Sequence, residues 1–229
     1  MSRLYAFLSS SENAELEQIS RAITINPTKI SPLEHNCSGK HAAFLATCKK
    51  MNWPLDSYLK GDHPLQIEIF RIVSELLKIP SSEINAERDD CGAPTLYLKL
   101  LEMSRLYSLL SSSENAELEQ ISRAMAINPI MISDNNKFDT EIIKASHGNV
   151  IGKGGAEGIQ CLCKVNEGLG LALKVEDGSK RAKHAVSLHL LKQLEWISDL
   201  RIQDIEEKVF NFPEGVRLEV KGKVKFQES

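Results

Sequence analysis

The sequence predicts an α+β fold: a helical cluster followed by an antiparallel sheet that a C-terminal helix covers. Three observations carry this reading. As far as His147, apolar residues recur at helical spacing, clearest in Leu65, Ile69, Ile72, Val73, Leu76 and Leu77. From Asn149 the pattern becomes short apolar or alternating runs, broken by Gly154-Gly155 and Asn166-Glu167-Gly168. After Asp177-Gly178-Ser179 the helical period returns over Lys180 to Ile197.

The first element is a duplicated one. Met1 to Pro27 reappears as Met103 to Pro129, with differences only at Ala6/Ser108, Phe7/Leu109, Ile23/Met125 and Thr24/Ala126. Each copy reads as a helix, a serine break (Ser9 to Ser11; Ser111 to Ser113) and a second helix from about Glu12 or Glu114, since serine before acidic first-turn residues is helix-start chemistry. Two copies with an unrelated insert do not make a stacking array, which needs several units of constant period. We therefore read a duplication, with residues 1–27 as an added helical segment and 28–229 as one domain.

A helix is expected from Lys40 to Met51, then a loop through Trp53-Pro54 and Gly61-Asp62-His63-Pro64. An amphipathic helix follows from Leu65 to Lys78, stopped by Pro80. Cys91 falls in a loop. A helix starting near Thr95 (Leu96, Leu100, Met103, Tyr107) runs into the second copy and makes a helical hairpin, and Gly148 caps a helix from Asp139 to His147. Strands are expected at Asn149 to Lys153, Glu157 to Val165 and Leu169 to Glu176. The last helix takes Ser179 as its N-cap and Ala182, Val186, Leu190, Leu194 and Ile197 as its apolar face. The alternating tail from Val209 to Phe226 reads as one or two edge strands.

Charge and cysteine content narrow the function classes. The 28 Lys and Arg are interspersed with 31 Asp and Glu, so there is no basic stripe for nucleic acid. No apolar run is long enough for a bilayer, and Met1-Ser2-Arg3-Leu4-Tyr5 lacks a signal-peptide pattern, which points to a cytoplasmic protein. Cys37, Cys48, Cys91, Cys161 and Cys163 are odd in number and irregular in spacing, which suits thiols or ligands better than a disulfide framework.

Two segments concentrate the chemistry: His35-Asn36-Cys37-Ser38-Gly39-Lys40-His41 and Asp89-Asp90-Cys91-Gly92-Ala93-Pro94. Each places a cysteine beside a glycine that reads as a tight turn. The first also begins a helix, whose N-terminal field lowers a cysteine pKa and favours a neutral lysine. Gly152-Lys153-Gly154-Gly155, at a strand end before a hairpin and a C-terminal helix, resembles the Lys-[Ser/Thr]-Gly strand of penicillin-binding proteins and serine β-lactamases. Taken in order, the two cysteine segments, Lys153 to Gly158, and Gly170 to Gly178 with Arg181-Ala182 closely resemble the Rhizobium-type L-asparaginase family, over about Pro27 to Ile197.

That resemblance implies the serine β-lactamase-like fold and hydrolysis of L-asparagine to aspartate and ammonia. It implies that Cys37, Lys40 and Cys91 hold a zinc ion near the substrate and near Lys153, and that Asp89 contacts the substrate's amino group. Lys153 is implied as the base serving a catalytic serine. Glu157 is read either as a substrate contact or as a strand-edge salt bridge. Cys161 and Cys163 read as packing residues on one strand face, and His63, His184 and His189 as surface or helix-side histidines. Without the resemblance, Cys37 and Cys91 read as separate buried thiols.

The chain departs from the family in lacking an upstream Ser-x-x-Lys pair. Its one match, Ser57-Tyr58-Leu59-Lys60, lies in a loop without helix-start context. The expectation is an incomplete copy with part of the sheet missing, an exposed edge, and self-association as a homodimer. The rival readings are a catalytically inactive zinc- or amino-acid-binding remnant and a helical interaction module. Asparagine and glutamine differ by one methylene, a choice that pocket shape decides.

Overall fold

The computed structural model describes residues 36–210 and 219–224, and residues 1–27 and His35 lie outside that range. Contacts divide the chain into two compact units, Met1–Tyr97 and Leu98–Ser229. Both combine helices with antiparallel strands, in line with the α+β expectation. No helix of the described residues is long and apolar enough to cross a membrane.

In the first unit, helix α1 spans Asn36–Met51, so it starts before Lys40 and takes in the whole first cysteine segment from Asn36. Gly39, expected in a turn, is helical. Helix α2 is Pro64–Leu77. Proline suits its first position, where its missing N–H would be unpaired anyway. His63 is the N-cap: its Nδ1 accepts from Leu65 N at 3.1 Å, and its Nε2 pairs with Pro54 O at 2.9 Å. This histidine is therefore buried, not on the surface. Lys78 adopts the left-handed conformation that ends α2. Ile72 lies exposed, off the buried face expected of it. After a short 3-10 turn at Ser81–Glu83 come strands β1 (Ala86–Arg88) and β2 (Pro94–Leu96), paired Ala86↔Leu96 to Arg88↔Pro94. Thr95 and Leu96 are thus a strand rather than a helix start, because cross-strand pairing claims their backbone.

In the second unit, α3 (Leu100–Ser111) begins where Lys99 N donates to Glu102. Helix α4 (Ala116–Ile127) is capped by Asn115, whose Oδ1 accepts from Glu117 N and Leu118 N, each at 3.0 Å; Asn115 takes the place of the expected serine. A short α5 (Ile130–Ser133) and α6 (Phe138–Ala145) follow, with Gly148 at φ +82° beyond α6. Strands β3 (Val150–Gly154), β4 (Ile159–Lys164) and β5 (Leu169–Lys174) form an antiparallel sheet in that order. Helix α7 (Lys180–Gln193) starts at the Ser179 cap and ends before Ile197, since Glu195 turns left-handed and directs Trp196 and Ile197 into the core. Its buried residues are Lys183, His184, Ala185, Ser187, Leu188, Leu190 and Leu191, so of the expected face Leu190 is buried, as is Ile197 beyond the helix, whereas Ala182 and Val186 are only partly covered. Helix α8 (Asp199–Val209) occupies the start of the expected tail strand. Residues 219–224 are irregular and lie along α7, with Gln193 Nε2 donating to Val224 O at 2.8 Å; residues 211–218 and 225–229 lie outside the described range.

The two faces of the sheet follow from its register. Lys153 pairs with Cys161 and Cys161 with Ala172, while Cys163 pairs with Ile151 and Gly170, so these residues share one face. Helix α3 covers it so closely that a β-carbon at Gly170 would collide with Ser104 O and Ser108 N. Cys161 and Cys163 are buried there, as expected of packing residues. The opposite face presents Val150 and Leu162 to a core of Phe138, Ile142, Leu188, Leu191, Trp196, Ile202 and Ile205.

The contact at Gly170 is backbone against backbone, so no side-chain rotation can relieve it. Gly170→Ala is expected to destabilise the chain by about 3 kcal/mol, read as a lowered Tm, whereas Ala172→Gly on the same strand should cost less.

His184 is buried and stacks on Phe138, with ring centroids 4.0 Å apart. Burial, helped by the charges of Lys183 and Lys180, pushes its pKa down to about 4. The unfolded chain thus binds a proton that the folded one refuses, and stability falls as pH drops from about 6.5 towards about 4. Denaturant titrations of wild type and His184→Phe across this window should show a steeper acid loss in wild type, by up to about 3 kcal/mol.

Candidate functional site

Cys37 and Lys40 stand one turn apart in the first turns of α1, on the same side of the helix. The second cysteine is presented by the β1–β2 turn. There Asp89 Oδ1 accepts from Cys91 N at 2.9 Å and from Ala93 N at 3.0 Å, and Gly92 takes φ +79°, a conformation that a side chain would strain. This turn brings Cys91 Sγ to 2.6 Å from Cys37 Sγ, across 54 residues of sequence. Lys40 Nζ donates to Asp89 Oδ2, joining helix and turn a second time. The structure therefore brings together Cys37, Lys40, Asp89 and Cys91.

Electrostatics fit this arrangement. Burial alone would push the Asp89 carboxyl up, but the bonds from Lys40, Ala93 and Cys91 outweigh it, and its pKa ends below the ordinary value. The Cys91 thiol is pushed up to about 11 by burial and by sharing its proton with Cys37. Two converging thiols suit a soft or borderline cation. No group of three or more His, Cys, Asp or Glu able to hold a metal occurs among the described residues. The Lys40 amine near these sulfurs is held by Asp89 in this structure.

Sequence reasoning missed the wall of this site. His41 is buried, its Nδ1 lies 2.7 Å from Tyr58 Oη, and the two rings meet edge to face. Burial, with the Lys40 charge, lowers the His41 pKa, and burial raises that of Tyr58. The phenol and the imidazole share one hydrogen bond through Nδ1, while the buried Nε2 has no hydrogen-bond partner among the described residues. Ser57-Tyr58-Leu59-Lys60 is a turn segment, as expected, and Tyr58 is the residue of it that reaches His41. No sequence spacing signals that contact.

The remaining two candidates belong to the second unit. Lys153 is half-buried at the end of β3, its Nζ donating to Gly154 O at 2.7 Å. Glu157 is exposed in the β3–β4 turn at φ +52° and makes no ion pair with the described residues. Beneath the strand lie Asp139, Gln160 and Lys183, all buried. Sequence reasoning took Asp139 only as the start of a helix and singled out neither Gln160 nor Lys183.

Asp89→Ala removes the acceptor for two turn N–H groups and the partner of Lys40. It is expected to cost about 2 kcal/mol of stability, whereas Asp89→Asn, which keeps an oxygen at Oδ1, should recover part of it; thermal melts of the two variants read the difference.

The family model for L-asparaginase II matches residues 2–226 of the chain. No curated protein matches it.

Proposed function

Because the chain belongs to the L-asparaginase II family, we propose that it is an asparaginase-type amidohydrolase acting on the side-chain amide of L-asparagine. The observation that carries this reading is the meeting of Cys37, Lys40, Cys91 and Asp89 from two distant segments at one point. Asp89 has Oδ1 committed to two backbone N–H groups, which leaves Oδ2 for a single cation. Lys40 takes that place in this structure, and an amino acid's ammonium group would take it by exchange, freeing the lysine amine.

Cys37, Lys40 and Cys91 would hold a zinc ion, which when bound supplies a Lewis acid close to the substrate. Lys153, in its neutral form, would accept the proton of an attacking hydroxyl as the oxygen adds to the amide carbon, and would return it to the nitrogen as the C–N bond breaks so that ammonia leaves; water then cleaves the resulting ester to give aspartate and restore the hydroxyl. Glu157, exposed beside the Gly178 turn, is the second polar contact in this reading. The serine β-lactamase-like fold, a homodimer and a cytoplasmic setting belong to the same proposal.

One observation favours a second reading, a zinc- or amino-acid-binding protein without turnover: the one Ser-x-x-Lys in the sequence is Ser57 to Lys60, in a turn. Loss of a hydrolase nucleophile removes most of the rate enhancement and leaves binding in place.

Metal analysis and ammonia release from L-asparagine test both. About one zinc per chain is expected in wild type, lost in Cys37→Ala and Cys91→Ala, with ammonia release falling about 100-fold or more in Lys153→Ala. Calorimetric binding of asparagine without ammonia would favour the second reading, and a metal-free wild type that neither binds nor hydrolyses asparagine would overturn both.

A further inference from the structure

The strand end that carries Lys153 is held from beneath by a group of buried polar side chains that the reading above does not use. Asp139, from the first turn of α6, accepts from Gly154 N through Oδ2 at 2.8 Å and from Gln160 Nε2 through Oδ1 at 2.8 Å. Lys183, from α7, donates to Gly155 O at 3.5 Å. A carboxylate thus holds the N–H end of this dipeptide and an ammonium its C=O end. A β-carbon at Gly154 would lie 2.8 Å from Lys183 Nζ, 3.2 Å from Gln160 Oε1 and 3.4 Å from Asp139 Oδ2. A side chain after Lys153 would therefore push the Lys183 amine out of this place.

Packing alone gives a poor account of the group. The Lys183 amine is buried with one long hydrogen bond, and Gln160 Oε1 is buried with no partner among the described residues. Apolar residues of similar volume stabilise such a position better than an incompletely bonded charge does. What the polar residues add is a defined placement for the peptide next to Lys153, with fixed charges of both signs on the face opposite its side chain.

We propose that Asp139 and Lys183 are a positioning pair for Lys153, clamping the Gly154–Gly155 segment so that the Lys153 amine is held at one place and in one electrostatic field. The inference rests on the reading of Lys153 as a base. The titratable groups around this edge are Asp139 from α6, Lys180 and Lys183 from α7, Cys161 from β4 and Tyr107 from α3.

Trace acetylation of the whole chain with acetic anhydride at a series of pH values, followed by peptide mass spectrometry, reports the titration midpoint of each lysine without requiring turnover. Removing the like charge in Lys183→Met is expected to raise the Lys153 midpoint by about half a unit to one unit, and Lys183→Arg to restore it. Asp139→Asn keeps an oxygen for Gly154 N–H while removing the opposite charge, so it should lower the midpoint. Exposed Lys49 should not move in any variant. If Lys183→Met does not fold, the Asp139→Asn and Lys183→Arg samples carry the test. A Lys153 midpoint unchanged in the folded variants overturns the proposal. Ammonia release unaffected by Lys153→Ala would instead overturn the base reading, leaving the acetylation result standing as a statement about geometry.

Discussion

The first unit depends on a carboxylate that answers to three donors at once. Asp89 Oδ1 closes the β1–β2 turn on two of its own N–H groups, and Oδ2 reaches the ammonium of Lys40 on α1. A backbone turn and a helix terminus are thereby tied through a single side chain, and the cysteines on either side, Cys37 and Cys91, are brought into contact as a consequence. Charge-assisted hydrogen bonds of this kind are stronger and more directional than neutral ones, which explains how so short a hairpin can present a thiol at a defined point.

In the second unit the corresponding constraint is the absence of side chains. Glycine at 170 lets the backbone of α3 lie directly on one face of the sheet, and glycine at 154 leaves room on the other for the Lys183 amine and the Asp139 carboxylate. The strands between them are therefore gripped from both faces, by packing on one and by charge on the other. Lys153 sits on the first face and its supporting charges on the second. The covering helix α3 carries the second copy of the duplicated segment from Met103, and Ser108, one of the few positions where the copies differ, hydrogen-bonds Gly168 O. Its counterpart Ala6 has no hydroxyl to offer.

Much of the secondary structure was legible because local chemistry decides it. The three strands of the sheet, the Ser179 cap, the stop after α2 and the left-handed Gly148 all follow from periodicity, caps and glycine, and they fall within a few residues of expectation. The failures share a cause. Thr95-Leu96, Val209 and the buried His63 were misread because contacts outside their own helical or strand period determine their state. Hydropathy places a histidine at the surface; a proline carbonyl or a phenylalanine face can bury it.

The sequence drew attention to the segments that carry Cys37, Lys40, Cys91 and Lys153 by their cysteines, lysines and glycines, and the family resemblance, not residue type, gave these residues and Asp89 their expected roles. Only the tertiary structure decided that the two cysteines touch, that Lys40 is engaged by Asp89, and that His41 with Tyr58, and Asp139 with Lys183, stand behind the candidate groups. The physical reason is range. Capping, turn formation and amphipathic period act over a few residues and leave their mark in the local sequence, whereas a contact between side chains tens of residues apart depends on how every intervening element packs.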